Sequence, residues 1–389
     1  MRYYLIAGES SGDLHGSLLI KALRKLDIRA EFRFIGGELM NVASGTKSIK
    51  PLSDFSFMGF LEVFKNLRTI FKNLTEVGKD ILSFKPDALI LIDFPGFNLR
   101  IAEKAHLAGI KTFYFISPKV WAWNSRRVLK IKRDIDHMLV IFPFEVKFYQ
   151  EWGMKVDYVG NPLMDALENF YSKVDEPEFI RSIFPSEEIS TTSRPGPTNQ
   201  KSLIALLPGS RKQEIEKILP EMIKVAGLLP QFEFIIAGAP NFSEEYYQNF
   251  FEGIPIKVVF NQTYSLVSSS IVALVTSGTA TLETALLGTP EVVLYKTSGI
   301  SYQIAKQVIR VRYISLVNLI MDREVVSELI QGQCKATQIL SELEKILPGG
   351  SHREKMLNDF LELKEKVGRS GASGRAAEKI YEYLPIYGS

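Results

Sequence analysis

Short apolar runs recur along the first half of the chain, each ending in a turn rich in glycine, serine or proline and followed by a helix-length segment. The runs are Tyr3 to Ile6, Phe32 to Ile35, Ala88 to Ile92, Thr112 to Ile116, His137 to Ile141 and Val156 to Val159. A run without polar alternation, such as Ala88 to Ile92, reads as a strand covered on both faces. Strands separated by helices predict a mostly parallel sheet with helices on both sides. The rhythm breaks in the polar stretch around Ser190 to Asn199, which has no periodicity and reads as a linker or insertion. It then restarts: strands at Leu203 to Leu207, Phe232 to Ile236, Val272 to Val275 and Glu291 to Tyr295, with a helix over Glu214 to Leu229. The expected division is an N-terminal α/β domain over 1–185, a flexible linker over 186–201, a second α/β domain over 202–348 and C-terminal helices over 349–389. Those helices either return to the first domain or pack against a partner.

Composition narrows the class. A chain of 389 residues is longer than one core usually supports, which agrees with two domains. Hydrophobic residues at 46% and charged residues at 23% describe an ordinary globular protein. The net charge of +3 gives no reason to expect a nucleic-acid partner. Cys334 is the only cysteine, and His15, His106, His137 and His352 are scattered, so neither a disulfide nor a zinc site is expected. No apolar run reaches membrane-spanning length. The expectation is a soluble or peripheral protein without a resident metal or cofactor.

Candidate chemistry gathers where strands end, since ligands of open α/β sheets bind beyond the carboxyl ends of the strands. After the first strand comes Ala7-Gly8-Glu9-Ser10-Ser11-Gly12-Asp13. Its two acidic residues disfavour a pyrophosphate and suit an acceptor or sugar, unless Asp13 simply caps a helix starting near Leu14. Asp93 follows the apolar run Ala88 to Ile92 directly, where a carboxylate can be held over a cleft as a general base for a sugar hydroxyl, or can cap the next turn. Trp121 and Trp123, followed by Arg126, Arg127, Lys130, Lys132 and Arg133, suit sugar stacking and phosphate binding, or a core plug beside a solvated helix. In the second half, Gly209, Ser210 and Arg211 offer N–H groups and a guanidinium to a diphosphate. Ser277, Gly278, Thr279 and Thr281 can hold phosphate oxygens. Glu283 either accepts from a ribose diol or belongs to a capping box.

The segment 57–74 opens on Phe57 and places Phe60, Leu61, Phe64, Leu67, Phe71 and Leu74 at helical spacing, with Lys65, Arg68 and Lys72 at other positions. Such a helix faces a core, or lays its apolar side into a lipid surface or against acyl chains.

Taken in order, these pieces resemble one family. They are AGESSGDLHG at 7–16, FMGFLEV at 57–63, KPDALILIDFPGFN at 85–98, YFISPKVWAW at 114–123, FPFE at 142–145, VGNPL at 159–163, LLPGSRKQEI at 206–215, TSGTATLE at 276–283 and VNLI at 317–320. The chain is similar throughout to lipid-A-disaccharide synthases, peripheral glycosyltransferases at the inner face of the cytoplasmic membrane. The resemblance implies the GT-B fold, two Rossmann-like domains facing across a cleft, with the nucleotide held mainly by the C-terminal one. It implies transfer from UDP-2,3-diacylglucosamine to 2,3-diacylglucosamine 1-phosphate with inversion, forming a β-1,6 linkage and releasing UDP without a required metal. Under it Asp93 is the base, Arg211 the arginine of the PGSR motif, Glu283 a ribose ligand and Asn318 a donor-side residue. Glu9, Ser10, Ser11, Asp13, Asn98, Trp121 and Asn161 fall on the acceptor side. A homodimer exchanging C-terminal elements is also implied. Two departures stand out: Gly96 occupies a position that is acidic in many relatives, and Asn161 replaces a commoner histidine.

Overall fold

The computed structural model describes residues 1–55, 67–123, 125–172, 179, 201–251, 253–254, 256–297 and 312–384, and the structural statements below concern these residues. Phe57, Phe60, Leu61 and Phe64, the side chains of Ser10, Leu67 and Trp123, and the expected linker up to residue 200 lie outside them. The chain forms two compact units. One comprises Met1–Glu168 with Val367–Ser389, the other Asn169–Ile304 with Val311–Lys366.

The first unit is built on a parallel six-stranded sheet: β1 Arg2–Ala7, β2 Glu31–Ile35, β3 Ala88–Ile92, β4 Thr112–Phe115, β5 His137–Val140 and β6 Asp157–Tyr158. Their order is β2-β1-β3-β4-β5-β6, so the winding direction reverses between β1 and β3. Register pairs Ile6 with Leu91 and Leu91 with Tyr114. Ile6, Leu91 and Tyr114 share a core with Val77, Ile101 and Val128 from helices Leu67–Phe84, Pro95–Leu107 and Arg127–Asp134. The helix Ser10–Leu26 starts at Ser10, not near Leu14, and packs against the helices Glu38–Ser44 and Ala372–Tyr383. Asp13 therefore lies inside its first turn.

The C-terminal helix returns to the first unit through polar contacts that sequence reading did not anticipate. Asp165 accepts the backbone N–H groups of Gly371 at 2.5 Å, Ala372 at 3.0 Å and Ser373 at 2.7 Å, capping the N-terminus of Ala372–Tyr383. The Arg375 guanidinium donates to the carbonyls of Val159 and Ser370. At the helix's other end Tyr383 stacks on His137, which stacks in turn on Phe113, and its hydroxyl donates to Asp157.

The second unit repeats the architecture with β7 Leu203–Leu207, β8 Glu233–Gly238, β9 Lys257–Phe260, β10 Val272–Thr276, β11 Glu291–Tyr295 and β12 Ser327–Ile330. The order β12-β11-β10-β7-β8-β9 is parallel throughout and reverses between β7 and β10. The helix Lys212–Leu228 begins two residues before the pattern predicts. Strands β9 and β12, absent from the sequence reading, are edge strands whose residues are mostly half-exposed.

A buried carboxyl breaks the polarity rule of this core. Glu291 opens β11 paired with Ala273, is wholly buried, and has no hydrogen-bond partner at either carboxyl oxygen. Burial raises its carboxyl well above the ordinary range, so the folded protein holds it neutral. The folded state thus binds the proton more tightly than the unfolded chain. This group favours folding most below the unfolded value and costs stability as pH rises beyond it. Replacing Glu291 by methionine is expected to raise the unfolding temperature, by a few degrees for about 1–3 kcal/mol at an unsatisfied buried group. The gain should be larger near pH ~8 than near pH ~5, as checked by thermal unfolding at both.

Candidate active-site loops

The loops singled out above flank the reversal points of the two sheets. In the first unit, the loops after β1 and β3 adjoin at the break. Asp93 and Phe94 both adopt left-handed backbone conformations, with φ of 44° and 50°, and neither is glycine. Each such residue costs about 1–2 kcal/mol, so the surroundings must hold it. They do so chiefly at the Asp93 backbone. Its N–H donates to the Phe115 carbonyl at 3.1 Å. Its carbonyl accepts the Tyr114 hydroxyl at 2.5 Å and the Asn98 side-chain amide at 2.7 Å. Pro95 then starts the helix Pro95–Leu107 with a preset φ. The Phe94 ring stacks on Phe97 at 5.7 Å and meets Phe55 edge-on at 6.3 Å. It lies so close to Gly8 that a Cβ there would sit 2.3 Å from it. This contact explains the glycine of the first loop better than backbone freedom does.

The turn presents the Asp93 carboxyl at the strand end, half-buried. Desolvation raises its pKa, and the Lys119 ammonium and the Phe94 N–H act in the opposite direction. A carboxylate pushed toward neutrality is a stronger base than an exposed one.

Not every predicted acceptor residue faces the loops. The Asp13 carboxylate accepts Gly37, Leu39 and Met40 N–H groups at 2.7, 3.1 and 3.0 Å, capping the helix Glu38–Ser44 instead of its own. Asn161 is buried and accepts the Leu163 N–H at 3.0 Å, at the start of Pro162–Tyr171. Asn98 is fully buried as the clamp on Asp93. Glu9 and Ser11 remain partly exposed in the first loop.

Trp121 is half-buried, and its indole N–H donates to Glu145 at 3.3 Å. Glu145 also takes the Ile141 and Phe142 N–H groups at 3.1 and 3.0 Å as the third residue of the helix Pro143–Glu151. Burial pushes its carboxyl up to about 7, against those hydrogen bonds. Sequence reasoning missed Glu145, Tyr114 and Lys119. A glutamate three residues after Phe142, in the capping-box position, was the available signal for the first. Phe71 is 59% exposed on the helix Leu67–Phe84, whereas Leu74, in the same predicted stripe, belongs to the core.

In the second unit, the loops after β7 and β10 occupy the corresponding break. Gly209 has φ of 103°, and a Cβ there would lie 2.5 Å from a Glu214 carboxylate oxygen. Glu214 accepts the Arg211 N–H at 3.3 Å and its guanidinium at 3.0 Å, leaving the arginine at the surface. Gly278 is exposed before the helix Thr279–Leu286. The Thr281 hydroxyl donates to the Gly278 carbonyl at 2.9 Å, and the Ser277 hydroxyl to Ile314 at 3.3 Å.

Glu283 lies beyond the third residue of that helix, so the capping-box reading fails. Its carboxylate accepts the Tyr264 hydroxyl at 2.7 Å, and desolvation raises its pKa while Tyr264 lowers it. Asn318 is turned inward. Its side chain accepts Val325 and Val326 N–H groups and donates to the Val326 carbonyl and Glu328, all within 2.7–3.0 Å. It shapes the loop before β12 and offers nothing to solvent.

Comparison with known proteins bears on the fold and the family. The solved structures of UDP-GlcNAc 2-epimerase from Neisseria meningitidis and of the kitacinnamycin glycotransferase superpose with TM-scores of 0.67 and 0.61. They are 14% and 13% identical, cover 98% and 99% of this chain, and are themselves covered to 100% and 99%. At that identity they establish the shared two-unit α/β fold of GT-B enzymes and no more. Lipid-A-disaccharide synthases of Trichlorobacter lovleyi and Syntrophus aciditrophicus are 35% and 37% identical. They match over 97% and 96% of this chain and 96% and 95% of their own length. The family described as lipid-A-disaccharide synthetase matches residues 3–380, so motifs, fold and near-complete alignment converge, and the chain belongs to that family.

Proposed function

We propose that this glycosyltransferase, which forms the lipid A disaccharide, uses Asp93 as its general base. The substrates in this reading are UDP-2,3-diacylglucosamine and 2,3-diacylglucosamine 1-phosphate. The observation that carries the assignment is the left-handed Asp93–Phe94 turn at the reversal point of the first sheet, clamped through its own carbonyl. The acceptor 6-hydroxyl attacks the donor anomeric carbon and gives its proton to the Asp93 carboxylate. As the new C–O bond forms, the bond from that carbon to the diphosphate oxygen breaks, UDP leaves, and the configuration inverts to β.

The first unit is the acceptor unit in this reading, with Glu9, Ser11 and Trp121 at the surface of its strand ends. The second holds the donor. Arg211, with the backbone around Gly209, Ser210 and Ser277 to Thr281, offsets the negative charge gathering on UDP. Glu283 accepts from the ribose hydroxyls. Asp13, Asn98, Asn161 and Asn318 serve by shaping the loops, given the inward hydrogen bonds they make. Peripheral attachment to the cytoplasmic membrane is supported by exposed Phe71 beside Arg68 and Lys72 on a helix adjoining the aromatic 57–66 stretch. Among the described residues no helix is long and apolar enough to cross a membrane.

The reaction is tested by mass spectrometry of products from both substrates in mixed micelles containing EDTA. The expected result is a disaccharide 1-phosphate in step with UDP release; intact donor would overturn it. Asp93→Asn is expected to lower kcat by about 10²–10⁴ while UDP still binds. Undiminished turnover under saturation would remove Asp93 from the role. Wild-type protein should prefer UDP to 2′-deoxy-UDP, and Glu283→Gln should narrow that preference by about tenfold in titration calorimetry. An unchanged preference would release Glu283 from the ribose.

A further inference from the structure

The loop after β4 begins in a strained conformation and is fastened at several points. Ile116 has φ of 67°, a left-handed conformation that a β-branched residue holds only where its surroundings impose it. Its N–H donates to the Leu139 carbonyl of β5 at 3.2 Å. The helix Pro143–Glu151 then grips the loop twice. The buried Ser117 and Tyr149 hydroxyls share a hydrogen bond of 2.7 Å. One turn earlier on the same helix, Glu145 accepts the Trp121 indole N–H at 3.3 Å. Between these two points Val120 is buried in the core of the first unit.

Glu145 divides its two oxygens between different tasks. Oε2 accepts the Ile141 and Phe142 N–H groups and serves the helix, while Oε1 faces the indole. The Phe144 ring meets the indole edge-on at 5.1 Å and stacks on Phe142 at 5.5 Å. Trp121 is thereby fixed in orientation with its one polar atom turned inward. It is half-buried, so the part left exposed at the strand ends is aromatic carbon. The loop starts beside the proposed base, because the Asp93 N–H donates to the carbonyl of Phe115, the last residue of β4. Backbone strain of this kind gathers where a chain has to aim a side chain. A rigid aromatic surface suits the C–H face of a pyranose, and a ring held in advance loses little entropy on binding.

We infer that Glu145 is a positioning residue, aiming the Trp121 indole as the platform for the sugar ring of the acceptor glycolipid. The inference rests on the glycosyl-transfer reading and adds to it the group through which Trp121 is oriented. An acyl chain would also pack on aromatic carbon, so the test separates ring from chain.

Glu145→Gln is a selective variant. Its amide oxygen can take over the two backbone N–H groups, which leaves its NH2 group facing the indole N–H, donor against donor. Wild type, Glu145→Gln, Trp121→Phe and the double variant are compared for kcat and for the KM of each substrate in neutral detergent micelles. Acceptor binding is followed in parallel by calorimetry, without donor. Glu145→Gln is expected to raise acceptor KM and Kd about tenfold, with kcat at saturation and donor KM nearly retained. Trp121→Phe should lose at least as much, and the double variant no more than Trp121→Phe, because the carboxyl acts through the indole. The loss should be equal for acceptors of short and long acyl chain. Replacing Trp121 by benzothienylalanine, an isostere without the N–H, breaks the same bond and leaves the helix cap intact, so it decides the matter even if Glu145→Gln fails to fold. It should reproduce the Glu145→Gln loss, and wild-type acceptor affinity in the isostere would overturn the role of Glu145. Additive losses in the double variant would overturn it too, as would an unchanged acceptor KM in Trp121→Phe. A loss that grows with acyl-chain length would put a chain on the indole and overturn the sugar assignment. Weakened acceptor binding in the variants of a protein that forms no disaccharide would count against the transfer reading and support the platform.

Discussion

The chemistry assigned to this protein depends on one backbone carbonyl. The Asp93 carbonyl is gripped by the Tyr114 hydroxyl from the neighbouring strand and by the Asn98 amide from the helix that follows. Without those bonds, two consecutive left-handed residues without glycine would relax, because each stands about 1–2 kcal/mol above its preferred conformation. The grip in turn demands a buried asparagine one turn into the helix and a tyrosine at one defined register of β4. Phe94 completes it by filling the space that Gly8 leaves empty. A carboxyl held this way, partly desolvated with an ammonium in its field, is preorganised for proton transfer.

The same logic appears twice in the chain. Each sheet reverses its winding once, and at each break the two flanking strands deliver polar loops. In the first unit these are the loops with Glu9 and Asp93; in the second, those with Arg211 and Glu283. The proposed base and the acceptor loop therefore share one end of one sheet.

Much of this was legible in the sequence. The short, mostly apolar runs marked ten of the strands because buried parallel strands need no polar alternation. Of the two edge strands that escaped, β12 opens on two polar residues and holds only the apolar pair Leu329 and Ile330, while β9 holds only the three-residue apolar run Val258 to Phe260. Asp93 and Arg211 could be placed at strand ends from position alone. What sequence could not distinguish was which polar side chains turn inward. Asp13, Asn161 and Asn318 belong to motifs that read as ligand-facing, yet each is spent on backbone N–H groups made available by the fold. Glu145 and Tyr114 were missed for the converse reason: their importance lies in partners more than twenty residues away or on an adjacent strand.

The most direct test of Asp93 as the base is the pH dependence of kcat/KM, measured in wild type and in Lys119→Gln. A base must lose its proton to work, so activity should rise with pH along an acidic limb whose midpoint lies above the ordinary aspartate value. The Lys119 charge lowers that midpoint, so its removal should shift the limb to higher pH. A limb that stays in place in Lys119→Gln, or lies at the value of an exposed carboxylate, would contradict the account.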